Sequence, residues 1–516
     1  MAGRYVLALD EGSSSARAVL IDERGQTVSE AATPIQALFP QPTWVELDPA
    51  TLWEAAESSI RQAMEKVGAT ALDIVAVGVT THRETCLIWD RATGRPVYNA
   101  LMWMSKQTDD IVARWSAEGM DGEIRRRTGL RNDSYFSAAK LAWILEHVPG
   151  VRDAAIEGKL AAGTVDTWLL WNLTAGKSHR TDPSAASRTA MFNIHEGVWD
   201  LELCAMYGIP PQLLPEVVAS NSCFGFVDST LLAGGREATI PVMAMLGDQQ
   251  AGLYGQACLG PGAAKNTYGT AGVLTVNVGS EPVIIDGMTS SVAWKIDSDT
   301  TFEVEGVVFH SGQTLHWLRD NMRLIDSVDS SGAIAQTVPD NGGVYFVPAF
   351  AGLCDPYWDR QVRGAIVGLT LETGAAHVVR AGLEAMAYQT RDNVDALTRG
   401  GISVPSLKVD GGATRNDFLC QFQADILGIP VERPHGLERT ALGVARLAGT
   451  GVGLWNGSTD LAGSWQLERV FEPMMSGDHR EELYDGWKQA VAGARTIPPR
   501  RSSTSHPAQY TEPVAR

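Results

Sequence analysis

A chain of 516 residues exceeds what one hydrophobic core serves, and its length predicts roughly two to four domains of ordinary size. Its 44% apolar and 20% charged residues exclude a disordered or fibrous chain. A formal charge of −18, from 60 acidic against 42 basic residues with no long basic stripe, excludes a nucleic-acid partner, and any phosphate site must be built locally from a few cations in a cleft.

The first apolar run, Tyr5 to Leu9, ends in Asp10-Glu11-Gly12-Ser13-Ser14-Ser15; Ala16 to Ile21 is apolar again, and Asp22-Glu23-Arg24-Gly25 turns. This spacing predicts a β-hairpin with a tip of small residues. Asp10 interrupts the run too early for a secretory signal, and no apolar stretch nears the roughly 18 residues of a membrane span, so a cytoplasmic protein not embedded in a membrane is expected. Small residues let backbone N–H groups approach phosphate oxygens, and Arg17 adds a cation, although the same letters suit an ordinary turn. Asp10 stands at the strand end, where a carboxylate either caps the turn or holds Mg²⁺ through water beside the phosphates.

Ile74 to Val79 is a buried strand candidate that runs into the polar cluster Thr80-Thr81-His82-Arg83-Glu84-Thr85, with Leu87 to Trp89 as the next strand. Ala175-Gly176-Lys177-Ser178 resembles the end of a Walker A loop, but the first glycine of that loop would fall at Trp171. No GxGxxG opens a βαβ unit near the N-terminus either, so the P-loop and Rossmann readings both fail. Leu246-Gly247-Asp248-Gln249-Gln250-Ala251-Gly252 places a carboxylate after an apolar strand; a lone Asp in a glycine turn is often structural, yet the position suits a general base.

Ala264 to Val276 repeats the plan of the first hairpin around Tyr268-Gly269-Thr270-Ala271-Gly272, which suggests a duplication with a boundary near residue 254. Val379, Leu383, Met386, Thr390, Val394 and Leu397, spaced by three and four, predict a helix stopped at Gly400-Gly401. Val409-Asp410-Gly411-Gly412-Ala413-Thr414-Arg415-Asn416 runs from a strand end through two glycines into a helix from Asp417, suited to an approaching nucleotide. Interleaved strands and helices predict an α/β fold with a mixed or largely parallel sheet. Six scattered cysteines with no metal-ligand spacing read as buried thiols in a reducing compartment. Residues 491–516, rich in Pro, Ser and Thr, are expected to be a disordered tail.

Taken together, Thr43-Trp44-Val45-Glu46-Leu47-Asp48-Pro49, His82-Arg83-Glu84-Thr85, Gly163-Thr164-Val165-Asp166-Thr167-Trp168, Ala186-Ser187-Arg188-Thr189, Gly247-Asp248-Gln249-Gln250, Lys265-Asn266-Thr267-Tyr268-Gly269-Thr270 and Val347-Pro348-Ala349-Phe350 resemble, in order, the motifs of the FGGY family of carbohydrate kinases, in its glycerol-phosphorylating branch. The resemblance extends to about residue 490. It implies two ribonuclease H-like domains of the actin and hexokinase type, 1–254 for polyol and phosphate and 255–490 for the adenine nucleotide, with a catalytic cleft between them.

The resemblance also implies Mg²⁺ and ATP, with Ser13, Ser14, Ser15, Arg17, Thr270, Gly312, His316, Gly412 and Asn416 on the nucleotide and Asp10 and Asp248 on the metal. The polyol would lie against Arg83, Glu84, Trp103, Tyr135, Asp248 and Gln249, with Asp248 as general base, and a homodimer or homotetramer is expected. The chain departs from the family at Val273, where an aromatic is usual and a wider pocket is expected. It departs also at Glu11 and His316, where Gln is usual, and at Cys354-Asp355, where Gly-Ala is usual. No histidine stands near Ser222-Cys223-Phe224-Gly225, the region that some relatives phosphorylate. Two other readings stay open: a kinase of a four- or five-carbon polyol, and an actin-like ATPase or nucleotide-binding regulatory module with no acceptor.

Overall fold

In the computed structural model, which describes residues 4–232, 239–436 and 438–497, two large mixed sheets organise the chain, one in each half. In the first, Tyr5–Glu11 and Ser15–Asp22 pair antiparallel, with Thr27–Pro34 beyond them. On the other side Ile74–Thr81 and then Pro241–Gly247 join in parallel, and Gly225–Phe226 closes the edge. The second sheet repeats the plan. Ala264–Tyr268 and Gly272–Gly279 form its hairpin, Asp299–Val308 and Thr289–Ile296 extend it antiparallel, and Leu407–Asp410 and Val431–Pro434 add in parallel before the edge strand Leu467–Phe471. An antiparallel hairpin extended by antiparallel strands on one side and continued by parallel ones on the other, made twice, gives the α/β architecture of paired ribonuclease H-like domains.

Successive side chains of a strand face opposite sides, and both faces of Tyr5–Glu11 are covered. Leu7 and Leu9 pack under the helix Pro49–Val67, whereas Val6 and Ala8 pack under Leu253, Tyr254 and Val444. That explains the unbroken apolar run. The helix over the first face starts where Asp48 accepts from the Ala50 N–H at 2.9 Å and Pro49 presets the first φ, and it stops at Gly68 with φ +65°.

The second face lies under Asp248–Gly255 and Arg439–Gly451, a helix from the far end of the sequence. A Cβ on Gly78 would meet Val444 O at 2.7 Å, so this approach requires glycine. A boundary near residue 254 therefore divides the sequence more cleanly than it divides the packing.

The expected helix spans Ala375–Arg399, with Val379, Leu383, Met386, Thr390 and Leu397 buried, and it ends at Gly400. The last helix, Gly477–Thr496, buries Val491 and Ala494, which corrects the expected start of the tail at 491; residues 498–516 lie outside the described residues. All six cysteines are free and five are buried. Among the described residues no helix is long and apolar enough to cross a membrane.

Candidate active site

Three parallel strands end side by side. Thr80 pairs with Asp10 on one side and with Leu246 on the other, so Asp10, the segment after Thr81 and the segment after Gly247 share one edge of the sheet. Asp248 is the first residue of its helix, and Arg83 and Glu84 follow Thr81 closely in sequence. The structure thus gathers Asp10, Arg83, Glu84 and Asp248 at the carboxyl ends of one sheet, where open α/β sheets hold ligands.

A buried charge network fixes this edge. Arg83 Nη1 lies 2.7 Å from Glu305 Oε2, and Arg188 Nη2 lies 2.8 Å from Glu305 Oε1, so one carboxylate spans two guanidinium groups. Arg188 Nε donates to Glu84 Oε1 at 2.6 Å. Glu84 holds φ at +65°, a strained backbone of the kind that clusters at functional sites. Burial opposes the Arg83 charge, yet Glu305, Glu84 and Asp248 outweigh it and hold the guanidinium well above its ordinary pKa. Against burial, Arg188 and Arg83 hold Glu305 below the usual carboxylate value, and Glu303 beside it is pushed up to about 7 by burial and by the Glu305 charge.

Asp248 keeps water access. Its Oδ1 accepts from the Gln249 N–H at 2.7 Å and its Oδ2 from Gln249 Nε2 at 3.2 Å, while Gln249 Oε1 accepts from Lys265 Nζ. Lys265 also donates to Thr267 Oγ1 at 2.8 Å, which ties the helix of Asp248 to the strand that ends in the second glycine turn. This arrangement leaves lone pairs of a carboxylate open to an incoming hydroxyl.

Trp103 and Tyr135 stand edge to face with ring centroids 5.7 Å apart, and Trp103 Nε1 donates to Ser13 Oγ at 2.9 Å. Arg188 lies over the Tyr135 ring at 5.9 Å, so the aromatic wall and the charge network are one unit. Val273, where a wider pocket is expected, pairs with Val307 and is buried with it in an apolar cluster that also holds Cys354. Asp355 secures that loop by accepting from the Val307 N–H at 2.6 Å.

At the hairpin tip the strands run further than expected, through Glu11 and from Ser15, with Gly12, Ser13 and Ser14 as the turn; the Gly12 N–H donates to Ser15 O at 2.9 Å. Asp10 and Arg17 are cross-strand partners. Burial pushes the Asp10 carboxyl up to about 7 against the pull of Arg17, and Asp248 pushes it up further. Arg17 is also ion-paired with Glu438.

The tip is less acidic than its letters imply. Glu11 points into the core, where burial and then Asp10 raise its pKa well above the usual range, and neither carboxyl oxygen has a partner among the described residues. His82 is buried beside it, with Nδ1 3.1 Å from Glu11 O, and burial lowers its pKa.

The second sheet brings the other glycine turns together. The Gly312 N–H donates to Gly269 O at 3.0 Å, the Ser311 and Gln313 N–H groups reach Thr270 O, and Gly411 at φ +89° lies against Tyr268. A Cβ would fall 2.6 Å from Gly269 O at Gly312 and 2.6 Å from Tyr268 O at Gly411, so both approaches need glycine. Gly412 begins the turn Gly412–Arg415, and Asn416 caps Asp417–Leu427 by accepting from the Leu419 N–H at 3.3 Å. His316 lies one turn into Gly312–Asp320 and is exposed.

Among the described residues no three His, Cys, Asp or Glu side chains cluster so as to hold a metal alone. Asp10, which feels the charge of Asp248, and Asp248 itself suit Mg²⁺, which takes one or two carboxylates and completes its shell with phosphate oxygens and water. Sequence reasoning gave no role to Arg188, Glu305, Lys265 or Lys140. Arg188 and Lys265 lie in recognisable motifs, but nothing local in the sequence shows that Glu305 faces two arginines across half the chain.

Residues 5–255 match the N-terminal domain, and residues 264–452 the C-terminal domain, of the FGGY family of carbohydrate kinases. The glycerol kinase of Symbiobacterium thermophilum is 47% identical over 493 residues, covering 95% of this chain and 98% of the relative. That of Halorhodospira halophila is 48% identical over 493 residues, covering 95% of this chain and 96% of its own. The crystal structure of Plasmodium falciparum glycerol kinase with ADP superposes with a TM-score of 0.89 at 31% identity, covering 95% of this chain and 98% of that one.

Proposed function

Since the chain belongs to the FGGY family of carbohydrate kinases, we propose that it transfers the γ-phosphoryl group of ATP to glycerol, giving sn-glycerol 3-phosphate and ADP. The observation that carries this reading is the convergence of Asp10, Arg83, Glu84 and Asp248 on one sheet edge, facing the Trp103–Tyr135 wall. Phosphoryl transfer needs positioning, charge neutralisation and an acceptor for one proton, and each need has a candidate here.

Asp248 takes the proton of the attacking hydroxyl. Arg83, Glu84 and Gln249 hold the remaining hydroxyls by paired donors and acceptors, and Trp103 and Tyr135 pack on the carbon chain and exclude water. Ser13, Ser14 and Ser15 of the hairpin turn, with Arg17, face the phosphates. Thr270, Gly312, His316, Gly412 and Asn416 line the nucleotide side. Mg²⁺ arriving with ATP would neutralise charge on the transferring group, and Asp10 with Asp248 would hold it.

We divide the chain functionally at residue 254, into a polyol- and phosphate-binding half and an adenine-nucleotide half that runs through the helix Gly477–Thr496. The reading also takes the protein as cytoplasmic, where ATP is available and six free thiols persist, and as a homodimer or homotetramer. An actin-like ATPase would have no use for an aromatic wall beside Arg83 and Glu84. The test is ADP formation with and without glycerol, with the product identified by phosphorus NMR. Glycerol-dependent ADP and glycerol 3-phosphate are expected, and ADP release indifferent to any polyol contradicts the reading.

A further inference from the structure

Three consecutive carbonyls around Tyr135 converge on one buried ammonium. Lys140 Nζ donates to Ser134 O at 2.7 Å, to Tyr135 O at 2.5 Å and to Phe136 O at 3.1 Å, and the lysine has no exposed surface. It stands in the first turn of the helix Ser137–His147, at the positive end of the helix dipole, so the local field opposes a lysine there. Burial opposes its charge again. The place of this ammonium is accounted for by the carbonyls it gathers, not by the helix it belongs to.

The same segment is held from other sides. Asp133 Oδ1 accepts from the Tyr135 N–H at 2.8 Å and is ion-paired with Arg360 of the C-terminal half. Ser137 Oγ donates to Glu84 O at 2.9 Å, so the start of this helix is fastened both to the Tyr135 loop and to the strained Glu84 backbone. Any loosening of Lys140 is felt by the two side chains nearest the acceptor's hydroxyls.

We propose that Lys140 is a positioning residue that sets Tyr135 against Trp103, and that it couples affinity for the polyol, but not for ATP, to the protonation of its amine. The inference rests on the reading of Tyr135 as a polyol contact.

Burial lowers the Lys140 amine to about 8, while the carboxylates of Glu84 and Asp133 pull it up and Arg360 pushes it down. Cys86 lies on the strand Cys86–Asp90, Glu84 on the segment before it, Asp133 on Tyr135's own loop, and Arg360 across the cleft. Burial pushes the Cys86 thiol up to about 12, so it stays neutral over the working range. A neutral amine has two N–H groups for three carbonyls, so one of the three contacts that hold the Tyr135 segment is lost.

The test is the pH dependence of the glycerol KM, of the ATP KM and of kcat, for the wild-type enzyme and for Lys140→Met, with thermal melting of each. In the wild type the glycerol KM is expected to rise roughly three- to tenfold between about pH 7 and pH 9.5, with the ATP KM within about twofold. Lys140→Met is expected to have a raised glycerol KM that no longer changes over that range. A wild-type glycerol KM flat over that range, or a Met variant that follows the wild-type curve, overturns the proposal, and the wild-type curve alone decides if the variant does not fold. A wild-type enzyme that forms no ADP on glycerol instead overturns the functional reading beneath it.

Discussion

Arg83 Nε lies 3.1 Å from Asp248 Oδ1, a charge contact between a guanidinium 4% exposed and a carboxylate 29% exposed. No hydrogen bond is aligned along it, so the cation steadies the carboxylate without occupying the lone pairs that would take the substrate's proton. Arg83→Met removes that cation and leaves Glu305 facing Arg188 alone. The expected result is a loss in glycerol kcat/KM of about 10² or more, since small misplacements at a reacting centre cost that much. Steady-state kinetics on glycerol measure it.

Glu305 is fully buried between Arg83 and Arg188. Removing one partner from such a network strands the other charges away from water, and Glu305→Ala is expected to cost roughly 3–5 kcal/mol of stability. Urea unfolding followed by tryptophan fluorescence reads this as a lower midpoint.

Asp392 accepts from Tyr484 OH at 2.7 Å and from Trp487 Nε1 at 2.9 Å, and burial pushes its carboxyl from 3.8 up to about 7. A folded-state pKa above the unfolded one stabilises the protonated form. The stabilisation is complete below about pH 4 and is lost as pH rises through about 7. Asp392→Asn removes this titration, so its stability relative to the wild type is expected to improve steadily from pH 4.5 to about 8. Unfolding free energies of the two proteins across that range give the slope.

Cys354 fills the space next to Val273. Cys354→Gly opens that space, and the ratio of kcat/KM for a four-carbon polyol to that for glycerol is expected to rise by about tenfold, the scale of one small group in a binding pocket. A polyol panel on both proteins measures the ratio.

Much of the fold was legible because it is written locally. Tyr5 to Leu9 with Ala16 to Ile21 marks a hairpin, the spacing from Val379 to Leu397 marks a helix, and Gly411-Gly412 marks a turn whose backbone approach a Cβ would block. The strand-end positions of Asp10, Arg83 and Asp248 were also readable; their adjacency was not, because it depends on the order of parallel strands that come from residues 5–11, 74–81 and 241–247. Glu305 and Arg188 escaped for the same reason, since their charges declare themselves only through partners distant in sequence. Glu11 shows the reverse: next to Asp10 in sequence, it lies on the opposite face of the strand and is buried.

The central claim is that Asp248 accepts the proton of the attacking hydroxyl, and Asp248→Asn tests it most directly through single-turnover phosphoryl transfer at saturating glycerol and Mg·ATP. The account predicts a fall in the rate of the chemical step of roughly 10²–10⁴, with the melting temperature held and glycerol still bound. A rate within a few-fold of the wild type would contradict it.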